Sequence, residues 1–573
     1  MTTDLTADRV REGRFDHMKV NLRLLFIPVV LSFSLIWLWP FRPLPLNGFT
    51  QEVLSFSATL IVLLSLLTRK TVLRKSFLVF LGLAFIPLLQ YCFGLIPFVG
   101  NAWLVSVYLF SFALMLSAGY SLSPGRSTLR SAGTIAPIDL LAVVFVLAAA
   151  LSTWIALRQY FHLADSIWEI NHNQGRPYAN LAQPNNLATL LGLGLAGCLY
   201  LYEKRLLGRV ASGVLVLFLI MGIAVTQSRT PWVTSLAILV FWYLKKGHFS
   251  TRLTTLSLFL WVLVYAGLVL VLPQFNSILE LGGVGIVDRA AKLERWDLWA
   301  QLWFAATNGP FWGYGWNQTA SAQLAVTLDW PLAMYSTYSH NVVLDFLLWN
   351  GFFPGLLISV IITAWLLRLG WYARSTESLF ALIGSGFILA HSMLEFPFAY
   401  AYFLLPLGLL LGVASADLPG KKNYKVSKYV VFLIILLGVI LLRIVITDYQ
   451  IIKSNYVEQR MRAANVVGFE SDKPISDVVF LTQFRELQRF RATVPQAGVS
   501  AEELDWMQLV VQQYPHLANL YRYSLILALN GRQKDAEMYM QTLCNLHGQH
   551  LCDQAKEVFE GDLEKYRVPV IRD

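Results

Sequence analysis

Apolar runs about as long as a bilayer-crossing helix, roughly 20 residues, recur along the chain and are separated by short polar links. The pattern predicts spans at 24–40, 51–68, 76–97, 101–121, 136–157, 184–202, 208–226, 230–244, 253–272, 341–367, 376–394, 398–416 and 429–447. The eighth is short; the tenth is long and contains Asn350-Gly351 and Pro354. The first follows a basic stretch (Arg9, Arg11, Arg14, Lys19, Arg23) and is followed by Pro40-Phe41-Arg42-Pro43 instead of a small-residue cleavage pattern. It therefore reads as a retained helix. The expected fold class is an all-α polytopic membrane protein of about 13 transmembrane helices, since a helix satisfies its own backbone in lipid.

Basic residues give the direction. With the N-terminus inside, every second link is basic: Arg69, Lys70, Arg74 and Lys75; Arg126 and Arg130; Lys204, Arg205 and Arg209; Lys245, Lys246 and Arg252; Arg368 and Arg374; Lys421, Lys422, Lys425 and Lys428. The opposite links hold few, namely Arg42, Arg158, Arg176 and Arg229. The bias follows the positive-inside rule. It places the loop 273–340 and the tail after Asp448 outside the cytoplasm. The chain divides into a cytoplasmic N-terminus (1–23), a transmembrane body (24–447) and an outer helical domain (448–573). In that tail 501–513 has an amphipathic period, and an Asn530-Gly531 turn joins two further helical stretches. This resembles one tetratricopeptide-type hairpin.

Composition agrees with this reading: 56% of residues are hydrophobic and 14% charged, with 36 Phe and 18 Trp, and mean hydropathy is +0.54. The net charge of +10 is spread over inter-helix links, which argues against nucleic acid as a partner. Cys92 and Cys198 fall in apolar segments and read as packing residues. Cys544 and Cys552 lie in the tail, where an oxidising compartment would permit a disulfide. His547 and His550 between them leave a metal reading open.

One polar cluster stands out against this background, Asn171-His172-Asn173-Gln174-Gly175-Arg176 through Asn180, Gln183, Pro184, Asn185 and Asn186. Polar groups beside lipid are costly unless they line a wet cavity or bind something. Pro184 suits the first turn of a helix, which puts Asn185 and Asn186 where free backbone N–H groups favour anions. The amides of Asn180, Gln183, Asn185 and Asn186 offer donors and acceptors for sugar hydroxyls or phosphate oxygens, or else cap the helix. Arg176 and Arg229 lie in outer links, and a guanidinium stays charged and can hold two oxygens at once. Arg289, Lys292 and Arg295 recur at helical spacing with Trp296 and Trp299. That suggests an interfacial helix with aromatics toward lipid and cations toward headgroups or a lipid-linked phosphate. Pro310 to Asn317 reads as a glycine-bent aromatic turn, either a sugar platform or a packed loop. Tyr338-Ser339-His340-Asn341 precedes a helix on the same side, and a histidine there can take a proton from a hydroxyl. His391 and Glu395 mark another outer helix end, where Glu395 can orient an imidazole or pair with an arginine. No HExxH, DxD, GxSxG or Walker motif occurs in the sequence, so no cofactor is expected.

Taken together, Arg176-Pro177-Tyr178-Ala179-Asn180-Leu181-Ala182-Gln183-Pro184-Asn185-Asn186-Leu187-Ala188, Ser228-Arg229, Gly313-Tyr314-Gly315, Ser339-His340-Asn341 and His391-Ser392-Met393-Leu394-Glu395-Phe396-Pro397 resemble the bacterial protein O-oligosaccharyltransferases. These pilin-glycosylation ligases share a superfamily with O-antigen ligases and polymerases. The resemblance covers residue 20 to the tail and is most specific at 176–188. It implies transfer of a preassembled glycan from undecaprenyl pyrophosphate to a hydroxyl at the periplasmic face of the inner membrane, without metal or nucleotide. By analogy His340 would activate the acceptor. Arg176, Arg229, Arg295 and Arg289 would hold the pyrophosphate, and Asn180, Gln183, Asn185, Asn186, Tyr338 and Glu395 would contact glycan or acceptor. Partners expected are the lipid-linked oligosaccharide, an acceptor protein such as pilin, and membrane lipids. O-antigen ligase or polymerase activity remains an alternative. A lipid-linked-glycan flippase is the reading from a different class, disfavoured because the polar clusters gather on one face.

Overall fold

The computed structural model describes residues 29–123, 136–171, 175–249, 251–278, 294–420, 423–466, 469 and 475–567. These are overwhelmingly helical, with one antiparallel pair of three-residue strands, Val72–Arg74 and Asn423–Lys425. Eight helical stretches are long and apolar enough to cross a membrane, which fits a polytopic membrane protein.

Most predicted spans coincide with one helix, but three differ. The 76–97 segment is a chain of short pieces, Lys75–Phe77, Leu78–Leu83 and Ile86–Cys92, broken near Pro87, whose ring removes a backbone donor. The 341–367 segment is two helices, Val342–Asn350 and Phe352–Tyr372, separated by Gly351 at φ +87°. A side chain there would meet the Phe311 carbonyl at 1.8 Å, so the break requires glycine. The last predicted span does not end at 447. Helix Lys428–Ala463 runs 36 residues, about 54 Å at 1.5 Å per residue, against a hydrocarbon core of about 30 Å.

The links predicted to share a side do meet in space. At the basic end, Val72 pairs with Lys425, Arg74 donates to the Ser415 and Pro419 carbonyls, and Lys245 donates to the Trp371 carbonyl. Arg252 donates to the Tyr202 carbonyl, and Lys204 pairs with Glu377. At the other end, Arg42 reaches the Asn180 carbonyl at 2.7 Å and Tyr449 reaches the Pro43 carbonyl at 3.0 Å. The alternation read from charge is therefore also the alternation of the fold.

At the centre lies helix Pro184–Glu203, buried along most of its length. It packs between Pro137–Tyr160, Arg209–Thr226 and Thr376–Ser392. Small residues permit this enclosure: a Cβ at Gly194 would lie 2.3 Å from that of Ala149, the close approach that drives helix association in lipid.

The tail folds on its own core, including Phe490, Met507, Val511, Leu520, Ile526 and Leu543. Helices Leu517–Leu529 and Gln533–His547 form a hairpin whose turn has Gly531 at φ +76°. The Asp448 carboxylate accepts from the backbone N–H groups of Val479, Phe480 and Leu481, tying the tail to helix Lys428–Ala463. Cys544 and Cys552 are joined as a disulfide with Cα atoms 4.6 Å apart, so neither thiol is left for a metal. Closing so short a loop contributes about 2–3 kcal/mol. A Cys544→Ser/Cys552→Ser variant is expected to lower the thermal midpoint of the tail by several degrees, measurable by circular dichroism.

Candidate active site

The end opposite the basic links carries a continuous hydrogen-bonded chain from five separate stretches. It begins at Arg176, whose Nε donates to the Thr226 carbonyl at 2.6 Å and whose Nη2 donates to Asn185 Oδ1 at 3.1 Å. Ser228 donates its hydroxyl to the same oxygen at 2.8 Å. Asn185 Nδ2 then donates to Glu395 Oε1 at 2.9 Å. Arg295 pairs with that oxygen, and His340 Nδ1 lies 2.7 Å from Glu395 Oε2.

Local sequence explains how each group is held. Pro184 starts its helix and fixes Asn185 in the first turn, as the proline ring presets φ. His340 sits at φ +59°, a left-handed backbone costing about 1–3 kcal/mol and typically kept where function needs it. Its neighbours enforce it. Asn341 caps the next helix by accepting from Val343 and Leu344 N–H groups. Ser339 N–H donates to Asp345 at 2.9 Å, and Trp299 Nε1 donates to the Ser339 carbonyl at 2.8 Å. The imidazole meets the Phe396 ring edge-on at 5.1 Å.

Glu395 is 4% exposed. Burial alone would raise its pKa, but the hydrogen bond from His340 and the positive charge of Arg295 outweigh it, so the carboxyl is held below its ordinary 4.5. An ionised carboxylate only accepts hydrogen bonds. His340 Nδ1 must then donate to it, and in the neutral imidazole this leaves the lone pair on Nε2.

The predicted residues fall into distinct places. Arg176, Asn185, Arg295, His340 and Glu395 meet as described. Arg229 is exposed next to Ser228, at the N-cap of helix Thr230–Lys245. Gln183 is the half-buried residue preceding Pro184. Arg289, with residues 172–174, lies outside the described residues. Tyr338 stacks on Phe396 at 4.8 Å, and burial pushes its phenol well above the usual range. Asn186 is 2% exposed and donates to Tyr402 at 3.2 Å.

Two expected ligand contacts need correction. Asn180 is 1% exposed; its Nδ2 donates to the Leu38 and Trp168 carbonyls at 2.7 and 2.9 Å, and its Oδ1 accepts from Ile170 N–H at 3.1 Å. It clasps three segments, because buried backbone groups without such partners are costly. Glu395 is likewise consumed by protein donors and acts through His340 and Arg295. The interfacial helix also differs: it is described over Glu294–Asn308, with Trp296 exposed but Trp299 turned inward onto Ser339. The aromatic turn is a packed loop, with Tyr314 and Gly315 N–H groups donating to the Leu348 and Trp349 carbonyls. Sequence reading did not single out Ser228's hydroxyl or the Phe396 ring as site groups, although both stand inside the quoted motifs.

Asn180→Ala is expected to remove about 3 kcal/mol of stability at roughly 1 kcal/mol per bond, seen as a lower thermal midpoint in detergent. Asn185→Ala also removes three side-chain hydrogen bonds, in a half-buried place, so it should lower the midpoint as well and in addition cut activity.

Comparison with known proteins places the chain in a family. A family described as "Protein glycosylation ligase" matches residues 177–202, the stretch carrying Gln183, Asn185 and Asn186. "O-Antigen ligase" matches 213–360, and "Virulence factor membrane-bound polymerase, C-terminal" matches 379–560. The "General O-oligosaccharyltransferase" of Acinetobacter baylyi is 34% identical over 534 residues, covering 91% of this chain and 92% of that protein. The "ComP-specific O-oligosaccharyltransferase" of the same organism is 32% identical over 355 residues, 61% of this chain and 63% of that protein. Identity sustained over nearly the whole length, with the glycosylation-ligase match covering the stretch from Pro177 through Asn185, establishes that this chain belongs to the bacterial O-oligosaccharyltransferases, a family of membrane-bound glycosyltransferases.

Proposed function

We propose that this enzyme transfers a preassembled glycan en bloc from undecaprenyl pyrophosphate to a Ser or Thr hydroxyl of a periplasmic protein such as pilin, at the periplasmic face of the inner membrane. The observation that carries the reading is the unbroken hydrogen-bonded chain from Arg176 through Asn185 and Glu395 to His340. It couples an anion-binding arm to a general base. His340 Nε2 takes the acceptor hydroxyl proton as that oxygen bonds to the anomeric carbon. The bond from that carbon to the pyrophosphate oxygen breaks, and undecaprenyl pyrophosphate leaves with the electron pair. Arg176 and Arg229 offset the growing charge on the leaving group, an effect worth several kcal/mol in a water-poor site. Arg295 shares its charge between Glu395 and that same pocket.

The basic links at one end support a periplasmic site by the positive-inside rule. The tail disulfide agrees, because such bonds persist outside the reducing cytoplasm. The tail hairpin, read as tetratricopeptide-like, would present a protein acceptor to the site. Ser321 donates to the Gln512 carbonyl and Asn545 to the Thr327 carbonyl, so this domain is held against the loop that carries His340.

Mass spectrometry of periplasmic proteins and lipopolysaccharide from a deletion strain tests the reading. The expected result is unglycosylated protein with intact lipid-linked donor. Loss of glycan on lipid A would favour an O-antigen ligase, and shortened glycans a polymerase.

A further inference from the structure

We infer that this enzyme holds an anionic glycerophospholipid of the basic-side leaflet between its helices, at a site separate from the His340 pocket. A cavity of ≈ 520 Å³ lies among helices Pro184–Glu203, Arg209–Thr226, Thr230–Lys245, Thr255–Ile278 and Thr376–Ser392. Its walls include Val216, Ile220, Trp242, Leu258, Trp261 and Phe387. From Arg209 to Ile223, both lining it, the cavity follows one helix for about 21 Å at 1.5 Å per residue. That is a large part of a ~30 Å hydrocarbon core, the shape of a slot for one extended acyl chain.

The two ends differ in polarity. Arg209 and Arg252 are the charged residues that line the cavity, and both stand at the basic end with Thr254 and Ser257. Arg209 opens its helix, where free N–H groups and the helix dipole favour a phosphate. Ser212, one turn further in, also lines the cavity. It is 7% exposed, and its hydroxyl has no hydrogen-bond partner. Some buried helical serines, such as Ser34 and Ser55, satisfy theirs on the carbonyl four residues back; Ser152 and Ser385 share the unpaired state of Ser212 but do not line this cavity. An unpaired buried hydroxyl is costly, and a headgroup oxygen or ester carbonyl would satisfy it.

Headgroup polarity decides between lipids. A polyprenyl donor engaged at Arg176 and Arg229 would put its phosphate at the opposite end, where the lining is Pro231 and Tyr265. The cations at the basic end fit a phospholipid whose headgroup faces the cytoplasmic leaflet, since anionic headgroups attract arginines near the surface.

Native mass spectrometry of the full-length protein purified in mild detergent tests this. Wild type should retain one phospholipid per chain. Arg209→Gln/Arg252→Gln should lower that occupancy about fivefold or more, as should Val216→Trp, which fills the slot and leaves the headgroup site intact. Delipidated wild type offered vesicles of equimolar phosphatidylglycerol and phosphatidylcholine should take up phosphatidylglycerol preferentially, a readout that does not depend on any variant folding. Equal uptake of the two lipids, a polyprenyl phosphate as the retained species, or unchanged occupancy in the variants would overturn the inference.

Discussion

His340→Ala is expected to lower glycan transfer by about 10²–10⁴-fold, the usual contribution of a general base, equivalent to roughly 3–5 kcal/mol of barrier. The fold should be unaffected, since the imidazole is 24% exposed and, among the described residues, its polar side-chain contact is the bond to Glu395. The loss should fall on kcat, with donor binding nearly unchanged, because the groups proposed to hold the pyrophosphate are arginines. A stopped assay with lipid-linked glycan and acceptor peptide separates the two. A variant with wild-type kcat would remove the histidine from the mechanism.

Glu395→Gln is the second large effect, expected at about 10³–10⁴-fold by analogy with triads whose carboxylate is replaced by an amide. The amide can turn its NH₂ toward His340 Nδ1, which forces the proton onto Nε2 and leaves the wrong nitrogen free. It also leaves the half-buried Arg295 without its counter-charge. The pH dependence follows from the same group. Its folded pKa lies below the ordinary 4.5, so its contribution to stability is fully present above that value and is lost as pH falls through the lower folded pKa. Thermal unfolding of wild type should therefore be insensitive to this group near neutrality and weaken only in acid, and Glu395→Gln should flatten that acid limb.

Which links share an end of the fold was legible because the charge bias repeats at every second link, and Val72 pairs with Lys425 and Lys204 with Glu377 at that end. The Arg176–Asn186 segment was legible because amides and a guanidinium in so apolar a chain need a purpose. For Glu395 the kind of partner, an imidazole or an arginine, was legible, but not which ones. It lies 55 residues from His340 and 100 from Arg295, and no local pattern says which partners a carboxylate meets. Asn180 looked the same as Asn185 in sequence, yet one lies inward on backbone carbonyls and the other bridges Arg176 to Glu395. The helix start at Pro184 was legible, but the breaks near Pro87 and at Gly351 inside two predicted spans were not, nor was the end of Lys428–Ala463. That helix continues past its apolar run because nothing in its polar half breaks it, and Ile452 and Asn455 are buried there.

The central claim is that one hydrogen-bonded chain lets Arg176 hold a lipid-linked pyrophosphate while His340 activates a protein hydroxyl. Its most direct test is purified enzyme in vesicles given undecaprenyl-pyrophosphate glycan and a serine-containing acceptor, with intact-mass analysis of the acceptor. The account predicts a single mass increment equal to the whole glycan, absent with His340→Ala and strongly reduced with Arg176→Ala. Stepwise addition of single sugars, glycan transfer to lipid only, or full transfer by His340→Ala would contradict it.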